Sequence, residues 1–507
     1  MNMTGVAARA NCSHPDAAIC GLPIFCDVCL RPAAVIGKHE SSAEDALKFE
    51  ETCSTFMSEH LPLSTISCLK TERKIGWTRF APKGYQPLTP HFFGSPMKKL
   101  GKFAQLLFAI APAVVFSNST YAFSKEPIPA APAATVSSTS SAGFSASNAV
   151  ALDVALRTAA LKAGVVSMSA AIAIGGELRW AGSFGWADIE GRALASPSTR
   201  YRTGSVAKPI TAMAMMRLVD RRLLELDTPL GTSIAGLSEE SRRITPRQLA
   251  AHVSGIRHYS LMEILSSSVG LNGPKHYASV AEGLDSFIGD GLRFSPGTKF
   301  LYSTWGYSLL SRKLELAAGS TFPQLLHTFV FEPCAMQDTA VDGIAPMKAR
   351  ARFYQAEGGI YKLADPIDTS NRIAGGGLVS TPSDFVRLAI CAEKDSFLSQ
   401  AARKTMWTPV ILADGQANEQ NYALGWRIDT STRMFGKDKP TAIIHHGGQQ
   451  EGGASFLVIA PALGVAVAVM TNSGTGAARE AVQDTAYELV RQLKGVDNSG
   501  QLAGPSK

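Results

Sequence analysis

The chain has 507 residues, of which 45% are hydrophobic and 18% are charged, a composition typical of globular proteins. Its formal net charge of +7 is modest, and its basic residues neither form long runs nor alternate with aromatic residues, which argues against nucleic-acid binding. The sequence has no uninterrupted apolar run of about 18 residues, the length that marks a membrane-spanning helix.

The first 96 residues differ in composition from the rest of the chain. They contain six of the eight cysteines, and their hydrophobic residues follow no clear helix or strand period. Cys26 and Cys29 form a Cys-x-x-Cys pair with His14 and His39 nearby, but a zinc site usually needs a second well-spaced ligand pair, which is missing. We therefore expect no metal here and interpret residues 1–96 as an upstream segment of doubtful function.

A secretory signal pattern begins at Met97. A basic segment over residues 97–102 precedes an apolar segment over residues 106–116, and small residues follow up to Ala122. This pattern predicts a signal peptide over residues 97–122, with Met97 as the biological start. The alternative is a retained anchor with a cytoplasmic N-terminal tail. The signal peptide predicts a periplasmic or secreted protein with no stable membrane span after cleavage.

Two segments of low structural content flank the main domain, which we expect over residues 148–495. Residues 123–147 are rich in Pro, Ser and Ala, as flexible linkers are, and residues 496–507 are expected to be a disordered tail. Cys334 and Cys391 are the two cysteines beyond the linker. They could pair in an oxidising compartment, although nothing in the sequence requires it.

The main domain has strand patterns at both ends and helix patterns between them, which predicts an α+β domain with a helical insertion. A first helix is predicted over residues 148–162 from its Ala and Leu periodicity. Residues 165–174 and 178–186 are predicted to be strands joined by a Gly-Gly turn. The later predicted elements are a helix over 210–224, a mostly helical region over 230–363, strands over 454–460 and 464–471, and a closing helix over 478–493.

The feature with the clearest chemical meaning is a Ser-Val-Ala-Lys sequence that places Ser205 and Lys208 at the start of a predicted helix. A serine hydroxyl is a poor nucleophile at neutral pH and needs a base within hydrogen-bond reach. Helical residues three apart share a face, so Lys208 can lie beside Ser205, and the helix N-terminus can stabilise an oxyanion. The Ser-x-x-Lys sequences at Ser67 and Ser95 are not followed by a long amphipathic helix, so we favour Ser205.

Two further segments supply groups that a Ser–Lys hydrolase needs. Tyr302 precedes a helix pattern, and a phenol whose pKa is lowered by nearby cations can accept and return a proton. His445 ends an apolar run and can donate to a substrate carbonyl or carboxylate, while Gly447 lets a substrate backbone approach. One amide of this segment, together with the Ser205 amide, could form an oxyanion hole. Taken alone, the tyrosine and the histidine each have an ordinary structural interpretation.

The order of these residues resembles the class C β-lactamase and penicillin-binding-protein-like serine hydrolases. That family combines Ser-x-x-Lys, Tyr-x-Asn and Lys- or His-x-Gly, and this chain has Ser205-x-x-Lys208, Tyr302 and His445-x-Gly447 in the same order. The resemblance covers about residues 148–493. The segments most similar to the mitochondrial branch of the family and its bacterial relatives are residues 202–205, 249–259, 302–307, 374–377 and 406–410.

This resemblance implies an α+β fold of the serine β-lactamase and penicillin-binding-protein type, with an antiparallel sheet flanked by helices and an all-helical lobe. It implies Ser205 as the nucleophile, Lys208 as the base for acylation and Tyr302 as the proton relay. It also implies that the Gly448 amide is the second oxyanion donor and that His252 is a structural residue under the site. No cofactor and no metal ion are needed for this chemistry.

The chain departs from the family pattern at two positions. Thr304 stands where many members have Asn, and a hydroxyl offers one donor where an amide offers two. His445 stands where many members have Lys, which weakens recognition of a substrate carboxylate at neutral pH. Both differences argue against efficient β-lactam turnover and favour a peptidase or an esterase.

The sequence therefore predicts an exported serine hydrolase that acts on amide or ester bonds through an acyl-enzyme. The favoured activity is that of a β-lactamase-related peptidase, of the D-Ala-D-Ala carboxypeptidase or D-aminopeptidase type. The alternatives are a carboxylesterase, a weak class C-type β-lactamase, and a non-catalytic binding or assembly protein. The expected partner is a small peptide, ester or β-lactam. Residues 375–377 are three glycines without a following Gly-Lys-Ser/Thr, so we reject nucleotide binding. The oligomeric state stays open.

Overall fold

The computed structural model describes residues 136–260, 263, 275–343, 347–357, 360–474 and 477–493. The upstream segment, the predicted signal peptide, most of the predicted linker and the predicted tail lie outside these residues. Within the described ranges, no helix has both the length and the apolar character needed to cross a membrane.

The strands form one large antiparallel sheet and two small ones. The large sheet has the order β1-β3-β2-β13-β12-β11-β10, with β4 paired to β3. The small sheets are β5-β9-β6 and the β7-β8 hairpin. The strand bounds are β1 Ser137–Ser140, β2 Ser167–Ile174, β3 Glu177–Asp188, β4 Ala193–Leu194, β5 Tyr201–Arg202, β6 Ala340–Val341, β7 Tyr354–Glu357, β8 Ile360–Leu363, β9 Leu378–Ser380, β10 Arg427–Ser431, β11 Thr441–Gln450, β12 Gly453–Ala460 and β13 Val465–Thr471.

Helices cover both faces of the large sheet. The first and last helices pack on one face, and the others pack on the opposite face or form the helical lobe. The helix bounds are α1 Ala146–Ala163, α2 Ala207–Asp220, α3 Pro246–Ala250, α4 Val280–Gly283, α5 Thr304–Ala318, α6 Phe322–Leu326, α7 Ile373–Gly376, α8 Pro382–Glu393, α9 Gln400–Met406 and α10 Ala478–Arg491.

The alternation of side chains along the central strands divides the interior into two hydrophobic cores. Phe456 and Val458 of β12 belong to the core that α1 and α10 cover, whereas Leu457 and Ile459 belong to the core under the helical lobe. Successive residues of a strand point to opposite faces, so a strand that is apolar at every position is buried on both sides. This arrangement fixes the register of β11, the neighbour of β12, and hence the position of its functional residues.

The predicted α+β architecture is confirmed, with the antiparallel sheet, its flanking helices and the helical lobe. The region over residues 230–363 is less helical than predicted. It contains α3 to α6, but it also contains β6 and the β7-β8 hairpin, and much of it is loop. The helix predicted to end at residue 224 ends at Asp220, since Arg222 has a left-handed backbone with a φ of 58°.

The two cysteines of the main domain form a disulfide between Cys334 and Cys391. The bond joins the turn that follows α6 to helix α8, across 57 residues of sequence. The sequence alone left this pairing open, because spacing does not report the distance between two cysteines in the fold.

Candidate active site

Ser205 lies in a short 3₁₀ turn, Gly204–Val206, immediately before α2. Gly204 has a φ of 48°, and a Cβ atom built at this position would lie 2.6 Å from the amide nitrogen of Gln449 in β11. Only glycine combines this conformation with so close an approach. The turn that carries Ser205 therefore rests directly against β11.

Lys208 follows one helical turn later, and its side chain is fully buried. Its Nζ lies 3.2 Å from Ser205 Oγ, 3.2 Å from Thr304 Oγ1 and 2.9 Å from the carbonyl oxygen of Gly375. The Ser-x-x-Lys spacing thus brings the two side chains into contact, as the helical period predicts. Thr304 reaches this group as the first residue of α5.

Burial controls the charge of Lys208. Removal from water penalises the ammonium form, and the nearby guanidinium of Arg427 adds repulsion, so the pKa of Lys208 lies well below its ordinary value. No carboxylate in the described part of the chain lies within ion-pair distance of Lys208 Nζ. The neutral amine, which can accept a proton, is therefore the favoured form of Lys208.

Tyr302 contacts Ser205 from the other side. Its hydroxyl lies near the Ser205 side chain, and the centre of its ring lies 4.6 Å from Lys208 Nζ. Burial raises the pKa of Tyr302 to about 12, although the Ser205 side chain and the guanidinium groups of Arg427 and Arg479 oppose this effect. The expectation that cations lower this pKa is wrong, because burial outweighs them. Tyr302 is a protonated phenol.

Two histidines, of which one is buried and one half-buried, hold the segment that contains Tyr302 and Thr304. His252 Nδ1 accepts a hydrogen bond from the amide of Ser303 at 3.1 Å, and His258 Nδ1 accepts one from the amide of Thr304 at 3.1 Å. Burial and the proximity of Lys208 place the pKa of His252 well below its ordinary value and that of His258 at about 3. Both rings are neutral, so each can accept a hydrogen bond through Nδ1 at any pH near neutrality.

The structure corrects the choice of histidine on β11. His445 lies on the face that α10 covers, where its ring centre is 5.5 Å from that of Phe456 and its Nε2 is 2.6 Å from an Asp429 carboxylate oxygen. His446 lies on the other face, with its ring centre 6.4 Å from that of Tyr302. The two rings point in opposite directions because adjacent strand residues alternate. The His-x-Gly motif is therefore His446-Gly447-Gly448.

His446 is also uncharged. Its Nδ1 donates to the carbonyl oxygen of Gly447 at 2.7 Å, and its Nε2 accepts from the hydroxyl of Tyr422 at 2.8 Å. Burial, together with Arg427 and Lys208, holds the pKa of His446 well below its ordinary value. It therefore offers no positive charge to a substrate carboxylate.

The two glycines that follow His446 differ in how closely they are packed. A Cβ atom built on Gly448 would lie 2.1 Å from the Thr203 carbonyl oxygen and 3.0 Å from the Ser205 amide nitrogen. On Gly447 the first contact would be Phe456 at 3.7 Å, an ordinary van der Waals distance. Gly448, rather than Gly447, is the residue that lets β11 approach the Ser205 turn. The amide of Ser205 consequently lies directly against β11.

A cleft of about 410 Å³ opens in front of Ser205. The spacing of residues in the sequence did not predict two groups that act on Lys208. These are the Gly375 carbonyl, which accepts a hydrogen bond from Lys208, and Arg427, which lowers the pKa of Lys208 at longer range. In the sequence, a run of three glycines was the one pattern that pointed to Gly375. A Cβ atom built on Gly375 would lie 2.6 Å from Thr304 Cγ2. The described ranges hold no cluster of three or more His, Cys, Asp or Glu residues suited to a metal ion. The residues that line the cleft are Gly204, Ser205, Tyr259, Glu263, Lys275, Tyr277, Ser286, Thr304, Trp305, Ile367, Asp368, Asn371, Arg372, Gly375, Gly376, Gln449, Gln450 and Glu451.

The packing of the glycines predicts different effects of two adjacent alanine substitutions. Gly448→Ala should lower the rate at which a fluorophosphonate labels Ser205 by on the order of 100-fold, since the added methyl group displaces the serine amide. Gly447→Ala, which adds the same group one residue earlier, should change this rate less than about threefold. Equal rates for the two variants, each with an unchanged melting temperature, would contradict this geometry.

Comparison with known proteins identifies the family of the chain. The family model described as Beta-lactamase matches residues 151–492. Human "Serine beta-lactamase-like protein LACTB, mitochondrial" is 25% identical over 371 residues, which cover 57% of this chain and 68% of that protein. "Penicillin-binding protein 4*" of Bacillus subtilis (strain 168) is 26% identical over 290 residues, which cover 54% of this chain and 61% of that protein.

The solved structures agree with respect to the fold. The crystal structure of D-amino acid amidase from Ochrobactrum anthropi SV3, complexed with L-phenylalanine amide, superposes with a TM-score of 0.57 at 22% identity. The superposition covers 68% of this chain and 98% of that one. With a family model that matches most of the described domain, the chain belongs to the Beta-lactamase family and is a serine hydrolase of the β-lactamase fold.

Proposed function

We propose that the protein hydrolyses amide bonds through an acyl-enzyme formed on Ser205, with Lys208 as the base. The observation that carries this proposal is the 3.2 Å contact between Ser205 Oγ and the Nζ of a fully buried lysine. A lysine whose pKa is lowered by burial and by Arg427 is neutral at physiological pH, so it can take the serine proton.

Acylation begins when Ser205 Oγ attacks the substrate carbonyl carbon and transfers its proton to Lys208 Nζ. A neutral Nζ has two N–H groups, which can donate hydrogen bonds to Gly375 O and Thr304 Oγ1. Its lone pair remains available to accept the serine proton. As the new C–O bond forms, the carbonyl π electrons move onto the oxygen. The backbone amide of Ser205 and one amide of residues 448–449 stabilise this charge.

Collapse of the intermediate breaks the C–N bond, and the leaving nitrogen takes a proton from the Tyr302 hydroxyl. Tyr302 suits this role because it is protonated at rest and already contacts Ser205. The proton on Lys208 then returns to the phenolate oxygen. In deacylation, water attacks the ester carbonyl, and one of its protons passes through Lys208 to the departing Ser205 oxygen, which restores the free enzyme.

Amides and short peptides are the proposed substrate class. His446 is neutral, so it does not supply the positive charge that many family members offer to β-lactams. Thr304 is bound by Lys208 and has a hydroxyl where many members have a side-chain amide. The relatives support hydrolytic chemistry of this general kind, because they include a protein named D-amino acid amidase and another named penicillin-binding protein. A carboxylesterase is the alternative that requires no further residue.

A β-lactam or a peptide with a C-terminal carboxylate is the second candidate. It is favoured by Arg427 and Arg479, which both act electrostatically on Tyr302. Their guanidinium groups could bind a carboxylate. A non-catalytic binding protein would not need Lys208 to be buried against Ser205.

We also propose that the protein is exported, on the basis of the signal pattern over residues 97–122. The disulfide between Cys334 and Cys391 supports this, because such bonds persist in oxidising compartments. Mass spectrometry of the protein recovered outside the cytoplasm should find an N-terminus close to residue 123. An N-terminus within residues 1–96 in that fraction would contradict the proposal.

Covalent labelling tests the proposed nucleophile. A fluorescent fluorophosphonate should label the full chain, and the labelling should disappear in Ser205→Ala while Ser67→Ala and Ser95→Ala label normally. A fluorescent penicillin applied in parallel separates the candidates: labelling by both probes favours penicillin-like substrates, whereas labelling by the fluorophosphonate alone favours simple amides and esters. A folded wild-type protein that neither probe labels would indicate a non-catalytic protein.

A further inference from the structure

β11 carries different groups on the two sides of Ser205. His446, whose ring centre lies 6.4 Å from that of Tyr302, precedes the point where Gly448 meets the Ser205 turn. Glu451 lines the cleft immediately after β11 ends at Gln450. Four residues of extended strand separate His446 from Gln450, a distance of about 13 Å.

The position of Tyr302 determines which part of a substrate faces each end. Tyr302 protonates the leaving nitrogen, so the leaving group lies on the side of Tyr302 and His446. The acyl part must then extend from Ser205 in the opposite direction, along Gln449 and towards Glu451. Two residues of extended strand span about 7 Å, a gap that a glutamate side chain and a single substrate residue can bridge together.

Glu451 has no cationic partner of its own. Its carboxylate accepts a hydrogen bond from Gln355 Nε2, and no described residue forms an ion pair with it within 4.0 Å. The guanidinium of Arg202 pairs with Asp342 at 2.9 Å and donates to the Glu451 backbone carbonyl. Burial and the repulsion of Asp365 raise the pKa of Glu451, and the Gln355 hydrogen bond and Arg202 only partly oppose this effect.

The other carboxylates of the cleft are already engaged. Glu263 pairs with Arg257 at 2.7 Å, and Asp368 contacts His276 at 2.7 Å and the amide of Ser370 at 2.8 Å. The cations of the cleft, Lys275 and Arg372, lie on the side of Tyr277 and Asn371. Glu451 is therefore the carboxylate of this cleft that is available to bind a positive charge.

A second polar group of the hairpin lacks a partner. Gln450 lines the cleft next to Glu451, and its Oε1 atom is buried without a hydrogen bond to any described residue. A buried amide oxygen without a donor is costly, and an N–H group of a ligand would relieve that cost after a small rotation of the side chain.

We propose that Glu451, assisted by Gln450, binds the ammonium group of the residue whose carbonyl Ser205 attacks. The substrates are then amides and peptides with a free α-amino group on the acyl side, which makes the enzyme an aminopeptidase or amino-acid amidase. This inference rests on the proposed function of Ser205. Glu451 is a specificity residue that contacts substrate but transfers no proton.

Protection of Ser205 from fluorophosphonate labelling tests this proposal without requiring turnover. The competitors are alanine amide and phenylalanine amide, each in D and L form, together with the N-acetyl derivative of each. At least one free amine should slow labelling of the full chain at a concentration about tenfold lower than its acetylated form does. Glu451→Gln should abolish this difference, while Glu451→Asp, which keeps the charge, should retain part of it.

Labelling without a competitor provides the control for folding and for the nucleophile. The uncompeted labelling rate of Glu451→Gln is the reference for its own protection, and Glu419→Gln, an exposed glutamate outside the cleft, should behave as wild type in every respect. Equal protection by free and acetylated amides in the wild type would overturn the ammonium site, as would a preference that persists in Glu451→Gln. Absence of labelling in the wild type would instead refute the proposed role of Ser205.

Discussion

The arrangement of this site depends on the burial of one lysine. Lys208 has no contact with water, and the groups around Nζ are a hydroxyl from Ser205, a hydroxyl from Thr304 and the carbonyl of Gly375. None of these can neutralise an ammonium ion, so the charged form is disfavoured and the amine is held neutral. The surroundings that make Lys208 costly to charge are therefore the ones that make it a base.

The fold maintains this environment by close backbone approach. Gly204 and Gly448 let the Ser205 turn rest on β11, and Gly375 lets α7 pack against Thr304. Each glycine removes a side chain where two elements meet, which brings three separate segments of sequence around one amine. His252 and His258 complete the arrangement by fixing the amides of Ser303 and Thr304. The two hydrophobic cores set the position of the sheet against which all of this is built.

Local sequence was sufficient for the parts of the site that depend on helical spacing. Ser205 and Lys208 lie one turn apart, so their contact follows from the period of α2. Helical spacing could not predict whether His445 or His446 faces the site. A one-residue shift in a strand exchanges its two faces, and only pairing with β12 fixes which histidine faces Tyr302.

The electrostatics of Tyr302 and Lys208 depend on depth of burial, which no local pattern reports. The expected lowering of the Tyr302 pKa by nearby cations is wrong, because the loss of solvent raises this pKa by more than the cations lower it. The same loss of solvent lowers the pKa of Lys208, where the expectation and the structure agree. The carbonyl of Gly375 and the guanidinium of Arg427 come from distant segments, so only the assembled fold brings them to the site.

The most direct test of the account is a titration of Lys208 itself. The full chain would be labelled with [ε-¹³C]lysine, and the Lys208 signal would be assigned by its loss in Lys208→Arg. The ε-carbon shift should already be that of a neutral amine at pH 8, with its midpoint well below that of an exposed lysine. A Lys208 signal that titrates together with the exposed lysines would contradict the claim that this residue is the base for Ser205.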